Sequence, residues 1–367
     1  MLVRKADKNC FLNVLINNPI DAKSAIPAQI QTTLRNPIVD VPTDYNLIVS
    51  RFSIPATSIP LFIFKTLGPP NVDPDTGIYS LGFEYQGQST PPINLQWLPQ
   101  SFLSPQVPVL GPNAPQVPSD PYYFDFSYQN LADMVNNAFK VAIAYVTTNF
   151  SWPVFDVYMT YTSNTGYFNL LGTQSMASTN ERDDTNNIRI WFNTPLMKCF
   201  RGFKSFYNAT NSPSGQDNMI LIANYLNNYN NTQDGFNPNI PAGYYQIPFE
   251  YNSDENLQTL SRIIITSNGL GGVVSQAEVS TGLQGGTYAN VLTDLVPTAE
   301  PSNGSYTRYQ YFVQSEFYRR SLTQINPLTE IQLNFYWQGS FGATPIPLML
   351  NAGDNLNVQM IFEAKQN

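Results

Sequence analysis

Apolar side chains return at every second position near the end of this chain. Ile331, Leu333, Phe335 and Trp337 alternate with Gln332, Asn334 and Tyr336, and Leu356, Val358, Met360 and Phe362 alternate with Asn357, Gln359 and Ile361. A period of two puts one set on one face of a β-strand and scatters it around a helix. The two runs are separated by PIPLML and a turn through Ala352, Gly353, Asp354 and Asn355, so they predict antiparallel sheets that share an apolar inner face.

The start of the chain reads the same way. Residues 45–54 (YNLIVSRFSI) place Leu47, Val49 and Arg51 on one side and Ile48, Phe52 and Ile54 on the other, a strand covered on both faces as in a sandwich. Pro55 and Pro60 then end ladder pairing. Polarity comes from Asn, Gln, Ser and Thr, with only 12% charged residues and 29 Pro against 21 Gly, which favours extended segments over helix. With 367 residues and 42% hydrophobic content the chain can bury a large core without disulfides, in roughly two domains.

The middle changes period. Seven prolines between Pro99 and Pro121, with PQVPV echoed by PQVPS, predict an extended connection over residues 99–121. After Ser127, an N-cap residue, Leu131, Met134, Val135, Ala138, Phe139, Ala142, Ile143 and Val146 recur at three and four residues, the stripe of an amphipathic helix. Residues 157–161 and 167–171 predict a hairpin, and residues 188–193 a strand that runs into a second helix capped by Thr194 with Pro195 at its first position. Long Asn- and Tyr-rich loops follow over 208–243, with one strand near 219–226. The predicted fold is therefore mainly β: residues 1–98 and 245–367 together form an antiparallel, jelly-roll-like sandwich, and residues 122–244 are an α+β insertion with one clear helix.

Chemistry is sparse. Histidine is absent, which removes the commonest general base, the commonest neutral metal ligand and every triad built on imidazole. Cys10 and Cys199 cannot make a four-thiolate site or a disulfide framework. Asp75, Thr76 and Gly77 spell an aspartic-protease triplet, but no second copy supplies the partner carboxylate, so the triplet reads as a turn. The alternating oxygens of Asn71, Asp73 and Asp75 are a weak Ca²⁺ candidate. Gly269, Gly271 and Gly272, echoed by Gly282, Gly285 and Gly286, lack the Lys-Ser or Lys-Thr of a phosphate cradle. No catalytic residue and no cofactor is assigned. A net charge of −8 repels phosphate backbones, and basic residues cluster only at Arg4, Lys5 and Lys8, so strong nucleic-acid binding is not expected. No stretch reaches the length of a spanning helix. The sequons at Asn149, Asn208, Asn230 and Asn303 are the chance product of an Asn-rich chain. What remains is 22 Tyr and 23 Phe, and the clustered Tyr225, Tyr229, Tyr244, Tyr245 and Tyr251 are candidates for contacts between subunits.

The closing stretch IQLNFYWQGSFGATPIPLMLNAGDNLNVQMIF (331–362), with LADMVNNAFKVAIAYV (131–146) and NIRIWFNTPLMKCFRGF (187–203), resembles segments of minor capsid or penton-type proteins of small non-enveloped eukaryotic viruses. The resemblance implies jelly-roll sandwiches packed in symmetric shells. It implies a non-enzymatic virion component, made in the host cytoplasm, that assembles with itself, as a pentamer in the favoured reading, and with other capsid proteins. A carbohydrate-binding attachment protein, with Tyr and Trp platforms for sugars, is the alternative, and a His-free hydrolase is a weaker one.

Overall fold

The computed structural model describes residues 9–23, 25–55, 58–65, 77–98, 122–125, 127–162, 166–176, 186–208, 218–221, 244–249, 260–267, 270, 275–280, 286–296, 298–302, 305–312, 319–339 and 345–365. The chain opens with strands β1 (Cys10–Asn17), β2 (Gln29–Thr33) and β3 (Tyr45–Pro55). A central stretch follows: β4 (Phe62–Lys65), β5 (Ser80–Tyr85), β6 (Tyr122–Asp125), helix α1 (Tyr128–Asn149), β7 (Val157–Thr162), β8 (Tyr167–Thr173), β9 (Arg189–Asn193), helix α2 (Thr194–Cys199), β10 (Ser205–Asn208), β11 (Asn218–Leu221) and β12 (Tyr244–Pro248). The chain then returns with β13 (Leu260–Thr266), β14 (Ser275–Ser280), β15 (Gly286–Leu295), β16 (Thr298–Ser302), β17 (Ser305–Phe312), β18 (Glu330–Gly339) and β19 (Asn355–Ala364).

The first and last groups build one sandwich. One sheet runs β1-β19-β3-β17 with β16 at its end, and the other runs β2-β18-β13-β15 with β14 at its end, all antiparallel. Leaving aside the flanking β14 and β16, the eight remaining strands numbered along the chain fall in the orders 1-8-3-6 and 2-7-4-5, which is the wiring of a jelly roll. Alternation drives it. Leu356, Val358, Met360 and Phe362 of β19 are fully buried, as are or nearly are Ile331, Leu333, Phe335 and Trp337 of β18, and Phe52 of β3 meets Phe335 at 6.3 Å between ring centroids across the gap.

Strand β3 departs from strict alternation, and a bulge explains how. Leu47 and Val49 are buried, and so are Phe52 and Ile54, although the two pairs have opposite parity. The register against β19 shifts between Gln359 and Met360: Arg51 pairs with Gln359 and Val49 with Met360, so Ser50 is the extra residue. Its hydroxyl donates toward the Gln359 carbonyl and carboxamide oxygens at 3.2 Å. The parity reading that put Arg51 beside Val49 is thereby corrected: the bulge keeps both apolar pairs on the core and leaves Arg51 exposed.

A second core lies in the central stretch. Helix α1 is capped by Ser127, whose Oγ accepts from the Asn130 amide at 3.3 Å, and it buries the expected stripe, with Ile143 only partly covered. That stripe packs on β5, β7, β8 and β9; Phe83 stacks on Phe139 at 5.8 Å. The hairpin β7–β8 forms as expected. The second helix starts one residue earlier than its capping was expected to allow: Asn193, not Thr194, is the N-cap, accepting from Leu196 N while its amide group donates to the Ile78 carbonyl. Its carboxamide thus serves both the helix end, through the oxygen, and the approach to β5, through the amide group. Residues Phe62, Phe64, Tyr79, Leu81, Phe83, Leu95 and Trp97 belong to this second core, so the chain enters it well before the proline-rich connection.

Contacts near the start of the central stretch join the cores. In β4, Phe62 and Phe64 face the second core while Ile63 between them faces the first. Close by in sequence, Ser58 donates to the buried carboxylate of Asp354 at 2.6 Å, in the turn before β19, where Gly353 takes a left-handed φ of 84° that suits glycine.

Val358→Asp should therefore bury an unpartnered carboxylate and cost several kcal/mol, whereas Gln359→Asp on the outer side should cost roughly 0.5 kcal/mol or less. Soluble yield and melting temperature of the two variants check this; equal tolerance would contradict the core placement of β19.

Candidate assembly surfaces

Of the tyrosines expected at contacts, Tyr225, Tyr229 and Tyr251 lie outside the described residues, as do Asn71, Asp73 and Asp75. Tyr245 stands opposite Gly172 in the β8–β12 ladder, with its side chain outside the description. Tyr244 is the one whose surroundings are defined. Its hydroxyl donates to Asp156 Oδ2 at 2.6 Å and its ring meets Tyr158 edge-on at 5.5 Å. The hydrogen bond to the carboxylate, with a smaller contribution from burial, pushes the Tyr244 phenol up to about 12. Tyr244 is thus braced within its own chain on the half-exposed rim of the β7–β8–β12 sheet.

Catalytic arrangements fare poorly on the same geometry. Neither cysteine is in a disulfide, and burial pushes the Cys199 thiol up to about 12, which keeps it protonated and unreactive at neutral pH. Glu84 is paired with Arg189 across the β5–β9 ladder. Asp125 Oδ1 accepts from the Ser127 amide at the start of α1, and Asp354 accepts from Ser58. These three buried acids sit on different elements, each with a fixed donor. Among the described residues no group of three His, Cys, Asp or Glu side chains could hold a metal ion.

The exposed apolar residues form the more telling pattern. On β1, Val14 and Ile16 enter the core, while Phe11 and Leu15 point outward and are 63% and 64% exposed. Phe11 pairs with Ile361 and Ile361 with Ile48, so a row of apolar side chains crosses β1, β19 and β3 on the outer face of the sheet. Among the described residues β1 pairs only with β19, and its sequence CFLNVLIN carries no charge and no proline to protect its open edge. The loops of the sandwich add Ile20, Val41, Val296 and Ile325, and the central body adds Val141 and Val154, which is 98% exposed. The sequence offers part of the signal, a strand apolar on both faces; its place at a sheet edge, which leaves one face to be covered, comes from the pairing of β1.

The described residues thus show a jelly roll with an undefended apolar edge. The comparisons place it: the family model described as Sputnik minor capsid protein V18/19 matches residues 10–364, and the chain belongs to that family, as a structural component of a viral capsid. A curated relative, the uncharacterized protein V18 of Sputnik virophage, is 36% identical over 137 residues, covering 36% of this chain and 80% of the relative. A chain in the cryo-EM structure of the Sputnik virophage superposes with a TM-score of 0.74 at 25% identity, over 98% of each chain. The crystal structure of the mavirus penton protein shares the fold, with a TM-score of 0.60 at 16% identity over 98% of this chain and 100% of that one.

The Tyr244 brace has a defined pH window. Its folded phenol value lies above the ordinary value near 10, so its stabilisation is fully present below pH 10 and fades as pH rises through about 12. The melting-temperature difference between wild type and Tyr244→Phe should hold constant from pH 7 to 9 and shrink above pH 10; absorbance at 295 nm should show one fewer late-titrating tyrosine in the variant than in wild type, where Tyr79, Tyr158 and Tyr336 are also raised.

Proposed function

We propose that this chain is a penton-type vertex component that acts by symmetric self-assembly: five copies close a ring that other capsid proteins surround. The apolar row Phe11, Ile361 and Ile48 on an uncharged edge strand carries this reading, because such a face gains free energy only when a neighbour covers it. Many modest contacts repeated by symmetry then make a stable shell. The net charge of −8 suits a place away from naked genome. The likeness in fold to a mavirus penton protein supports the vertex position.

In this reading the sandwich, residues 10–55 with 260–364, is the assembling body, and residues 62–249 form the insertion. The chain performs no reaction and is synthesised in the host cytoplasm before it enters the virion.

Native mass spectrometry of the purified chain, alone and with its partner capsid proteins, should show a species of five times 41.1 kDa. The pair Phe11→Lys with Leu15→Lys should leave the melting temperature near wild type, since both side chains are outside the core, yet abolish that species. A chain that stays monomeric at micromolar concentration beside its capsid partners contradicts the proposal.

A further inference from the structure

The ladder between β1 and β19 fixes which way the backbone groups of β1 point. Asn18 N donates to the Asp354 carbonyl at 3.0 Å, one step beyond the pair Asn17 and Asn355. Alternation along an antiparallel ladder then turns the amides and carbonyls of Leu12, Val14 and Ile16 toward β19, and those of Phe11, Asn13 and Leu15 toward the open edge. The side chains of Phe11, Asn13 and Leu15 stand exposed on the outer face. Among the described residues no strand meets that edge, and such a row of backbone donors and acceptors is a template for one.

The sequence of β1 is its own complement. Paired residues must share a face of the sheet, so a two-fold axis between two antiparallel copies has to pass through a residue and not between two. About Asn13, Phe11 falls opposite Leu15 of the second copy on the outer face. Cys10 and Leu12 fall opposite its Ile16 and Val14 on the inner face, and Asn9 opposite its Asn17. Apolar meets apolar and amide meets amide at every position. An axis at Leu12 sets Phe11 against Asn13 and Leu15 against Asn9, and one at Val14 sets Leu15 against Asn13 and Phe11 against Asn17, so the pattern selects a single register. Charge points the same way. Copies of a chain with net charge −8 repel one another, and β1 brings no charge to the contact.

We propose that β1 docks on β1 of a second copy of this chain, antiparallel about a two-fold axis at Asn13, so that two sheets become one. The contact is isologous, with Phe11 on Leu15 and Leu15 on Phe11. It goes beyond the ring reading: the two copies join edge to edge in the plane of the sheet, which leaves the outer face that carries Ile361 and Ile48 open to a ring neighbour.

The test uses the full chain with Cys10→Ser, which removes the native thiol of β1. Residues opposite one another in a hydrogen-bonded pair stand about 5.5 Å apart at Cα, within disulfide reach. A contact of this size is weak, so the chain is held at roughly 100 μM under mild oxidation. Asn13→Cys meets itself on the axis and should give a linked species of twice 41.1 kDa. Phe11→Cys alone and Leu15→Cys alone should not link, because each lies four residues, about 13 Å, from its own copy. An equal mixture of those two should link. Asn13→Lys sets like charges opposite each other; with its side chain exposed it should keep the wild-type circular dichroism, and sedimentation equilibrium should show roughly tenfold weaker pairing. Linking of Asn13→Cys no faster than that of Phe11→Cys or Leu15→Cys alone overturns the register and the proposal with it, as does pairing unchanged by Asn13→Lys. A five-fold species without links at residue 13 overturns the pair and leaves the ring standing. Links at residue 13 in a chain that never closes a ring support the pair and count against the ring alone.

Discussion

The sandwich depends on where its last strand goes. Strand β19 inserts between β1 and β3, pairing Val358 with Val14 on one side and with Phe52 on the other. Four side chains of β19 are fully buried, each contributing about 1.5–3 kcal/mol relative to exposure. Without β19 the sheet has a gap at its centre, and β1 has no partner among the described residues. The contact joins the two ends of the chain, so the closure of a very long loop precedes its formation, and the sandwich should be the slow part of folding.

The insertion is held together differently. Its core is aromatic and partly local in sequence: α1 packs on the hairpin that follows it, and Phe168, Phe200, Phe203 and Phe249 make a chain of edge-on ring contacts. It leaves the sandwich after β3 and returns at β13, so the chain can tolerate its size without changing a single ladder of the jelly roll. Strand β4 is the shared wall, with Ile63 turned to one core and its two Phe neighbours to the other. The Ser58–Asp354 hydrogen bond pins the departure point to the turn that precedes β19. The same strand that completes the sandwich is therefore tied to the base of the insertion.

Where alternation or helical stripe was uninterrupted, the sequence was readable: β18, β19, α1 and the β7–β8 hairpin follow from it directly. Residues 45–54 were not, because a period of two has no memory of an inserted residue, and nothing about Ser50 announces a bulge until its partner Gln359 is known. The split of the N-terminal hundred residues between two cores was hidden for a related reason. Phe62, Ile63 and Phe64 are all apolar, and only the pairing partners reveal which face meets which core. On the surface, Phe11 and Leu15 belong to a stretch that is apolar on both faces, and only the pairing of β1 shows that it lies at a sheet edge. The tyrosine cluster drew attention instead, and its one fully described member proves to be braced by Asp156.

These features describe a capsid subunit with a division of labour between a sandwich closed by its own ends and an insertion with an independent core. Native-state hydrogen exchange on the full chain, read by mass spectrometry at peptide level, tests that division most directly. The account predicts that amides of β1, β3 and β19 share one opening free energy, while those of α1, β7 and β8 share a second, distinct one. A single common value for both sets, or exchange of β19 well ahead of β1 and β3, would contradict it.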